Sequence, residues 1–219
     1  MSESEKLLIT DEEIDIIQLE YPDNVRIRPG KMIGSTDDPD VILREAIDNA
    51  IDELFGSNKA DKIHITIPKV KDQYYVVADN GRGIPIIWDE EKKKTKCELA
   101  IASIDAGSKF SKSIDKIATG MNGVGISASN ALSDHFIILS RVRSSNWNLS
   151  ISEVKKRYEK IQKTQKLFYY LEYKRGIKQS EGCITKSEAL ERRYPSCEGK
   201  YCLTSNPVFL IFLTMQNGC

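Results

Sequence analysis

The chain has 219 residues, 40% of them apolar and 29% charged, which leaves room for one full α/β domain and part of a second. Its 32 Lys and Arg balance its 32 Asp and Glu, so no global field holds a polyanion, and any nucleic-acid contact has to be local or supplied by a partner. No apolar run is long enough to cross a bilayer and no basic-then-apolar signal opens the chain, so the expectation is a cytoplasmic protein with no membrane partner.

Residues 1–20 are acidic and polar, with a weak apolar period at Ile14, Ile16, Ile17 and Leu19, and read as an N-terminal arm with one short helix. Asp37, Asp38 and Pro39 then form a helix start, an Asp cap with Pro at the first helical position. Behind it Ile42, Leu43, Ala46, Ile47, Ala50, Ile51 and Leu54 recur at helical spacing until Gly56 ends the element. Residues 62–68 alternate Ile63, Ile65 and Ile67 as a half-buried strand, and 73–78 read as its hairpin mate across a polar turn at 70–72.

A charged loop is expected over 89–96, then a helix over 97–105. Residues 108–118 are polar and aperiodic and read as a mobile loop; helix resumes over 123–132, and 135–142 is an apolar strand. This order suits an α+β, two-layer sandwich with a mixed sheet covered by helices on one face. After Arg143 the character changes: 151–175 is lysine-rich with Val154, Tyr158, Ile161, Phe168 and Leu171 at roughly helical spacing, and beyond Gly176 only the apolar run 207–215 stands out. The expected division is an arm over 1–23, a main domain over 24–143 and a divergent segment of unknown role over 144–219. Cys97, Cys183, Cys197, Cys202 and Cys219 lack the paired spacing of a disulfide framework or a zinc site and read as free thiols.

Four motifs lie in order along this frame: VRIRPGKMIGS (25–35), REAIDNAIDE (44–53), DNGRGIP (79–85) and TGMNGVG (119–125). In the second, Glu45 and Asn49 stand one helical turn apart and point the same way. Glu45 can take a proton from an attacking water, and an amide oxygen one turn on can join a Mg²⁺ ion, which favours oxygen ligands and substrate phosphates. A solvated acidic face made by Glu45, Asp48, Asn49, Asp52 and Glu53 is the plain alternative.

In the third motif Asp79 follows a strand directly, and Gly81 and Gly83 let backbone approach a flat ligand; the carboxylate can accept from an exocyclic amine. A tight glycine turn is the alternative there. Arg82 is expected to pair with Glu53 and so tie this loop to the long helix. In the fourth, Gly120, Met121, Asn122, Gly123, Val124 and Gly125 precede a helix, so backbone amides can face phosphate oxygens, with Lys109 upstream able to reach the same anion; a plain loop-to-helix turn is the alternative.

Taken together, these boxes resemble the ATPase family that unites DNA gyrase, the heat-shock-90 chaperones, mismatch-repair MutL and the histidine kinases, over roughly residues 24–142. Glu45 and Asn49 match the first box, Asp79, Gly81 and Gly83 the second, and Gly120, Gly123 and Gly125 the third. The leading RPGKMIG, with Lys31 and Met32 where the family usually has Met and Tyr, looks like the type IIA topoisomerase segment that the other members lack. The likeness is to the ATPase end of a gyrase B or topoisomerase IV subunit, or to a bacteriophage topoisomerase large subunit, which would work in a host cytoplasm.

The resemblance implies the following roles. Glu45 is the general base for water attack on the γ-phosphate of ATP, and Asn49 is a Mg²⁺ ligand. Asp79 binds the adenine amine, with Arg82, Ile84 and Pro85 around the base. Lys109 and the residues 120–125 hold the phosphates. Partners implied are ATP, DNA through the full topoisomerase assembly, other topoisomerase subunits and a second copy in an ATP-dependent dimer. Two departures stand out: no Gly-Thr strand is legible beyond Val142, and Thr185-Lys186 comes too early to be the lysine loop of a following domain. The segment after Arg143 is therefore expected to be a divergent insertion or sequence foreign to the family. Three functions follow: an ATP-hydrolysing topoisomerase part lacking the strand-passage domains, a nucleotide-binding module with negligible turnover, or a MutL-like or chaperone-like clamp.

Overall fold

The computed structural model describes residues 19–34, 40–56, 60–68, 74–104, 124–143, 147–148, 152–161, 166–191 and 209–214. Two short helices, α1 (Asp23–Ile27) and α2 (Gly30–Ile33), lead to the long helix α3 (Val41–Gly56). The apolar period expected for α3 is the face it buries: Ile42, Leu43, Ala46 and Ala50 are in the core, while Arg44 and Asn49 are exposed. Its expected Asp-Asp-Pro start lies outside the described residues; its end at Gly56 is where the sequence puts it.

Strands β1 (Ile63–Thr66) and β2 (Tyr75–Asp79) pair antiparallel as expected, with Ile63 opposite Asp79. The turn at 70–72 lies outside the described residues. The segment read as a charged loop is partly strand: β3 (Ile86–Asp89) and β4 (Lys94–Thr95) form a small hairpin through residues 90–93. Ile86, Ile87 and Trp88 are strand formers, and the charged residues that dominate the composition occupy only the turn, where Asp89 accepts from the Lys92 N–H at 2.9 Å. Helix α4 (Lys96–Ile101) starts where Thr95 accepts the Glu98 N–H at 3.1 Å, and it ends at Ile101, short of the expected Asp105. Helix α5 (Gly125–Leu132) and strand β5 (His135–Arg141) fall where the sequence puts them, and the loop expected over 108–118 lies outside the described residues.

Beyond Arg143 the chain forms β6 (Trp147–Asn148), α6 (Ser152–Ile161), β7 (Leu167–Lys174), β8 (Ile177–Thr185), α7 (Lys186–Glu191) and β9 (Phe209–Thr214). The helical spacing read through Phe168 and Leu171 is overturned. They lie in β7, and since an odd separation along a strand puts side chains on opposite faces, Phe168 and Leu171 belong to different core clusters.

The main sheet has the order β1-β2-β9-β5-β7-β8 and is antiparallel throughout; the parallel pairing, β3 with β6, belongs to a separate three-stranded sheet. One face of the main sheet, carrying Val77, Phe136, Ile138, Leu171 and Leu213, packs against α3, α4 and Val154 of α6. The other face carries Val76, Ile137, Leu139 and Phe168, with Ala189 of α7 against it. This is the expected α+β sandwich. The domain boundary expected near Arg143 does not coincide with an end of the sheet, because β7, β8 and β9 all lie beyond it.

Strand β9 comes from the apolar run that stands out near the end of the sequence. It lies between β2 and β5 and pairs with both, placing Phe209 opposite Asp79 and Ser140. Among the described residues no helix is long and apolar enough to cross a membrane, no cluster of three or more His, Cys, Asp or Glu side chains is gathered as for a metal ion, and Cys97 and Cys183 are buried free thiols.

Candidate functional site

On α3 the residues Glu45, Asn49 and Glu53 recur every fourth position and form one polar row, with Ala46 and Ala50 turned into the core. Asn49 donates its amide N–H to the Glu45 carbonyl at 2.7 Å, which commits the nitrogen end to the helix and leaves the oxygen as the chemically open end. Each acidic member of the row meets a glycine. A Cβ on Gly125, at the first turn of α5, would overlap the Glu45 carboxylate, and a Cβ on Gly81 would overlap the Glu53 side chain. The motif glycines are therefore where the neighbouring backbone comes up against the row.

Burial pushes the Glu45 carboxyl up from its ordinary value; the adjacent negative charge of Asp48 adds to this and Arg44 opposes it. Glu53 makes the expected pair with Arg82. Its Oε1 accepts from the Arg82 backbone N–H at 2.5 Å and from Nε at 3.0 Å, and its Oε2 accepts from Nη2 at 3.0 Å. This fork fixes the loop after β2 to the long helix.

Asp79 ends β2 with only 4% of its surface exposed. Its Oδ1 accepts the Gly81 N–H at 2.8 Å, and its Oδ2 has no hydrogen-bond partner among the described residues. Burial raises its carboxyl to about 6, with the Gly81 N–H acting the other way and the charge of Glu53 adding to the rise. Gly83 adopts φ +74°, a conformation that favours glycine, and turns the loop back toward β5. There the Ser140 hydroxyl accepts the Ile84 N–H at 3.2 Å and lies 3.3 Å from the Ile84 carbonyl, while Arg143 Nη1 reaches the Gly81 carbonyl at 3.5 Å. Ile84 packs against the core and Pro85 is exposed.

Ser140 and Arg143 escaped the sequence reading. One signal was available: Ser140 interrupts the apolar run 136–142, and a polar side chain inside a buried strand needs a partner.

Helix α5 is anchored by polar side chains. Ser129 Oγ donates to the Ile42 carbonyl at 2.9 Å and Asn130 Nδ2 to the Ile101 carbonyl at 2.9 Å. These bonds fix Gly125 against Glu45. No side chain caps the start of α5 at Val124, so its first N–H groups are not taken by a cap. Of the other residues in the predicted phosphate loop, Lys109, Gly120, Met121, Asn122 and Gly123 lie outside the described residues. The structure thus brings Glu45, Asn49, Glu53, Gly81, Arg82 and Gly125 to one helix face, with Asp79 at the adjoining strand end.

The model of the histidine kinase-, DNA gyrase B-, and HSP90-like ATPases matches residues 34–157, more than half of the chain. The chain belongs to this ATPase family. Its relatives include gyrase B and topoisomerase 4 B subunits. It is 38% identical over 120 residues to the gyrase B protein of Caulobacter vibrioides, covering 53% of this chain and 14% of that protein. It is 40% identical over 129 residues to the topoisomerase 4 B protein of Rickettsia felis, covering 57% and 19%. The fold resembles the 43K ATPase domain of Thermus thermophilus gyrase B in complex with an aminocoumarin, with a TM-score of 0.54 and 21% identity over 89% of this chain and 38% of that one. The matches span less than a fifth of these two curated relatives. Within this chain the family match takes in the Glu45 row, the Asp79 loop and Gly125, and it ends inside α6; the structural likeness, over 89% of the chain, reaches past that point.

Proposed function

We propose that the chain is the ATP-binding and ATP-hydrolysing part of a type IIA topoisomerase subunit, with its nucleotide site between the polar row of α3, the loop after β2 and the start of α5. The observation that carries this reading is the Glu45 carboxylate lodged against Gly125. It sits on the same helix row that holds the Asp79 loop through Glu53 and Arg82. We also propose that the nucleotide-binding unit extends past Arg143 to include β9.

Adenine is recognised by Asp79, whose open Oδ2 accepts from the exocyclic amine, with Ile84 and Pro85 beside the ring. Glu45 takes the proton of the attacking water as its oxygen bonds to the γ-phosphorus and the bond to ADP breaks. A carboxylate raised by burial is a stronger proton acceptor than one in water. Lys109 and the first amides of α5 hold the phosphate oxygens, so that catalysis is chiefly positioning and charge stabilisation. The open Asn49 oxygen is a hard donor that fits Mg²⁺, which completes its shell with water and substrate phosphates; when bound, that ion would neutralise charge on the phosphates. DNA handling and ATP-driven dimer closure belong to the assembly that supplies the strand-passage parts.

Steady-state ATPase measurements on the wild type and Glu45→Ala test the reading. Turnover in the wild type that falls by about 10²–10⁴ in the variant, with nucleotide binding retained, is the expected result. Nucleotide binding without wild-type turnover would make the chain a binding module, and turnover unchanged in the variant would remove Glu45 from the chemistry.

A further inference from the structure

We infer that the outer face of α6 is a contact surface for the phosphate backbone of duplex DNA. α6 meets the core through Val154, which is buried, and Tyr158, one turn on. At 3.6 residues per turn, Lys156 and Lys160 lie about 200° round from that stripe and point away from the protein, with Lys155 beside them. All three are exposed and form no ion pair among the described residues, whereas Arg157 is paired with Glu188 of α7. Over residues 152–166 the sequence carries six basic and two acidic side chains, in a chain whose total charge is zero. The absence of a global field made any nucleic-acid contact local, and this helix is such a locality.

Lys156 and Lys160 place like charges one turn apart, and Glu153 and Glu159, each one turn from Lys156, offset them only in part: over 152–161 the helix carries four basic and two acidic side chains. A polyanion restores the balance. The proposal rests on the topoisomerase reading for its choice of duplex DNA, since the relatives of this chain are named as gyrase and topoisomerase subunits. It stands apart from the nucleotide site in space: α3 packs on β1 and β2 and α6 on β8, across four strand spacings of the sheet, roughly 20 Å.

Counterion release sets the scale. A lysine on a phosphate contributes a slope of about −0.9 in log K against log salt, hence about 60-fold at 10 mM salt and about eightfold at 100 mM. Three such contacts hold a duplex at a Kd on the order of micromolar at 10 mM salt and millimolar at 100 mM, so the face is an auxiliary grip within an assembly.

The test is fluorescence anisotropy of a labelled 20-bp duplex titrated with the full chain between 10 and 150 mM KCl, alongside ATP binding on the same preparations. The triple substitution Lys155→Gln, Lys156→Gln, Lys160→Gln is expected to make the salt slope about 2.7 shallower with ATP affinity unchanged, while the corresponding three Arg substitutions keep the wild-type slope. An unchanged slope in the Gln variant overturns the proposal, as does loss of binding to anionic phospholipid vesicles with duplex binding unmoved. A wild type that binds ATP but leaves the duplex free at 10 mM KCl removes the lysine face alone. Lysine-dependent duplex binding by a chain that takes up no nucleotide keeps the lysine face and removes the nucleotide site.

Discussion

Replacing Asp79 by Asn should raise the stability of the nucleotide-free protein and lower its affinity for nucleotide, and the two effects come from one carboxylate. Its folded-state value is raised from 3.8 to about 6, chiefly by burial. A raised acid stabilises the fold below its unfolded value and loses that contribution as pH rises through its folded value. The loss amounts to about 3 kcal/mol above pH 6.

Asn keeps an oxygen for the Gly81 N–H and cannot ionise. The variant should therefore gain up to about 3 kcal/mol at pH 7.5, about half of that at pH 5, and almost nothing near pH 3. For a chain of this size that is a rise in Tm of about 6–12 °C at pH 7.5, read by differential scanning calorimetry across the pH series. Calorimetric titration should show ATP bound about tenfold more weakly, because a charged acceptor becomes a neutral one. Equal melting temperatures for the two proteins at pH 7.5, or a difference that does not change with pH, would refute the account of Asp79 as a buried carboxylate acceptor.

Gly125→Ala forces a Cβ into the Glu45 carboxylate and should lower kcat about 10²-fold while ATP affinity stays within a few-fold, measured by steady-state kinetics beside equilibrium binding. Ser140→Ala leaves the Ile84 N–H without its side-chain partner at a cost of about 1–3 kcal/mol; the expected sign is a higher Kd for ATP with kcat nearly unchanged, and restoration in Ser140→Thr. Leu213→Ala opens a cavity in β9 and should cost about 2–5 kcal/mol by denaturant unfolding, whereas a β9 independent of the ATPase sheet would leave the main transition where it was.

Where local pattern and tertiary role agree, the sequence was a sufficient guide. α3 carries an apolar stripe and a terminal glycine, and β1 and β2 are short runs read as a hairpin; each element formed where those signals put it, although Ile65 and Ile67 of the alternating run are exposed. The reading failed where a segment is buried on both faces. β7 places Phe168, Tyr170 and Leu171 against two different layers, so its apolar residues follow no period of two and can be mistaken for a helix. β9 is harder still. It is a strand of the sheet's interior whose neighbours, β2 and β5, come from much earlier in the chain, and nothing in an isolated apolar run says which strands it will separate.

The candidate site was legible for a different reason: its polar residues are spaced by one helix. Glu45, Asn49 and Glu53 were readable as one row because the geometry of α3 relates them without any knowledge of the rest of the fold. What no spacing could provide was which backbone each carboxylate would face. The answer lies in the two glycines, since Gly81 and Gly125 each admit an acidic side chain that any Cβ would displace. Two carboxylates on one helix thus acquire separate tasks from their partners. Glu53, forked onto Arg82, is fully engaged in holding the Asp79 loop, and so has no oxygen to spare for a proton. Glu45 lies against the start of α5, which no side chain caps, and is raised by burial, the property that the proposed proton acceptor needs.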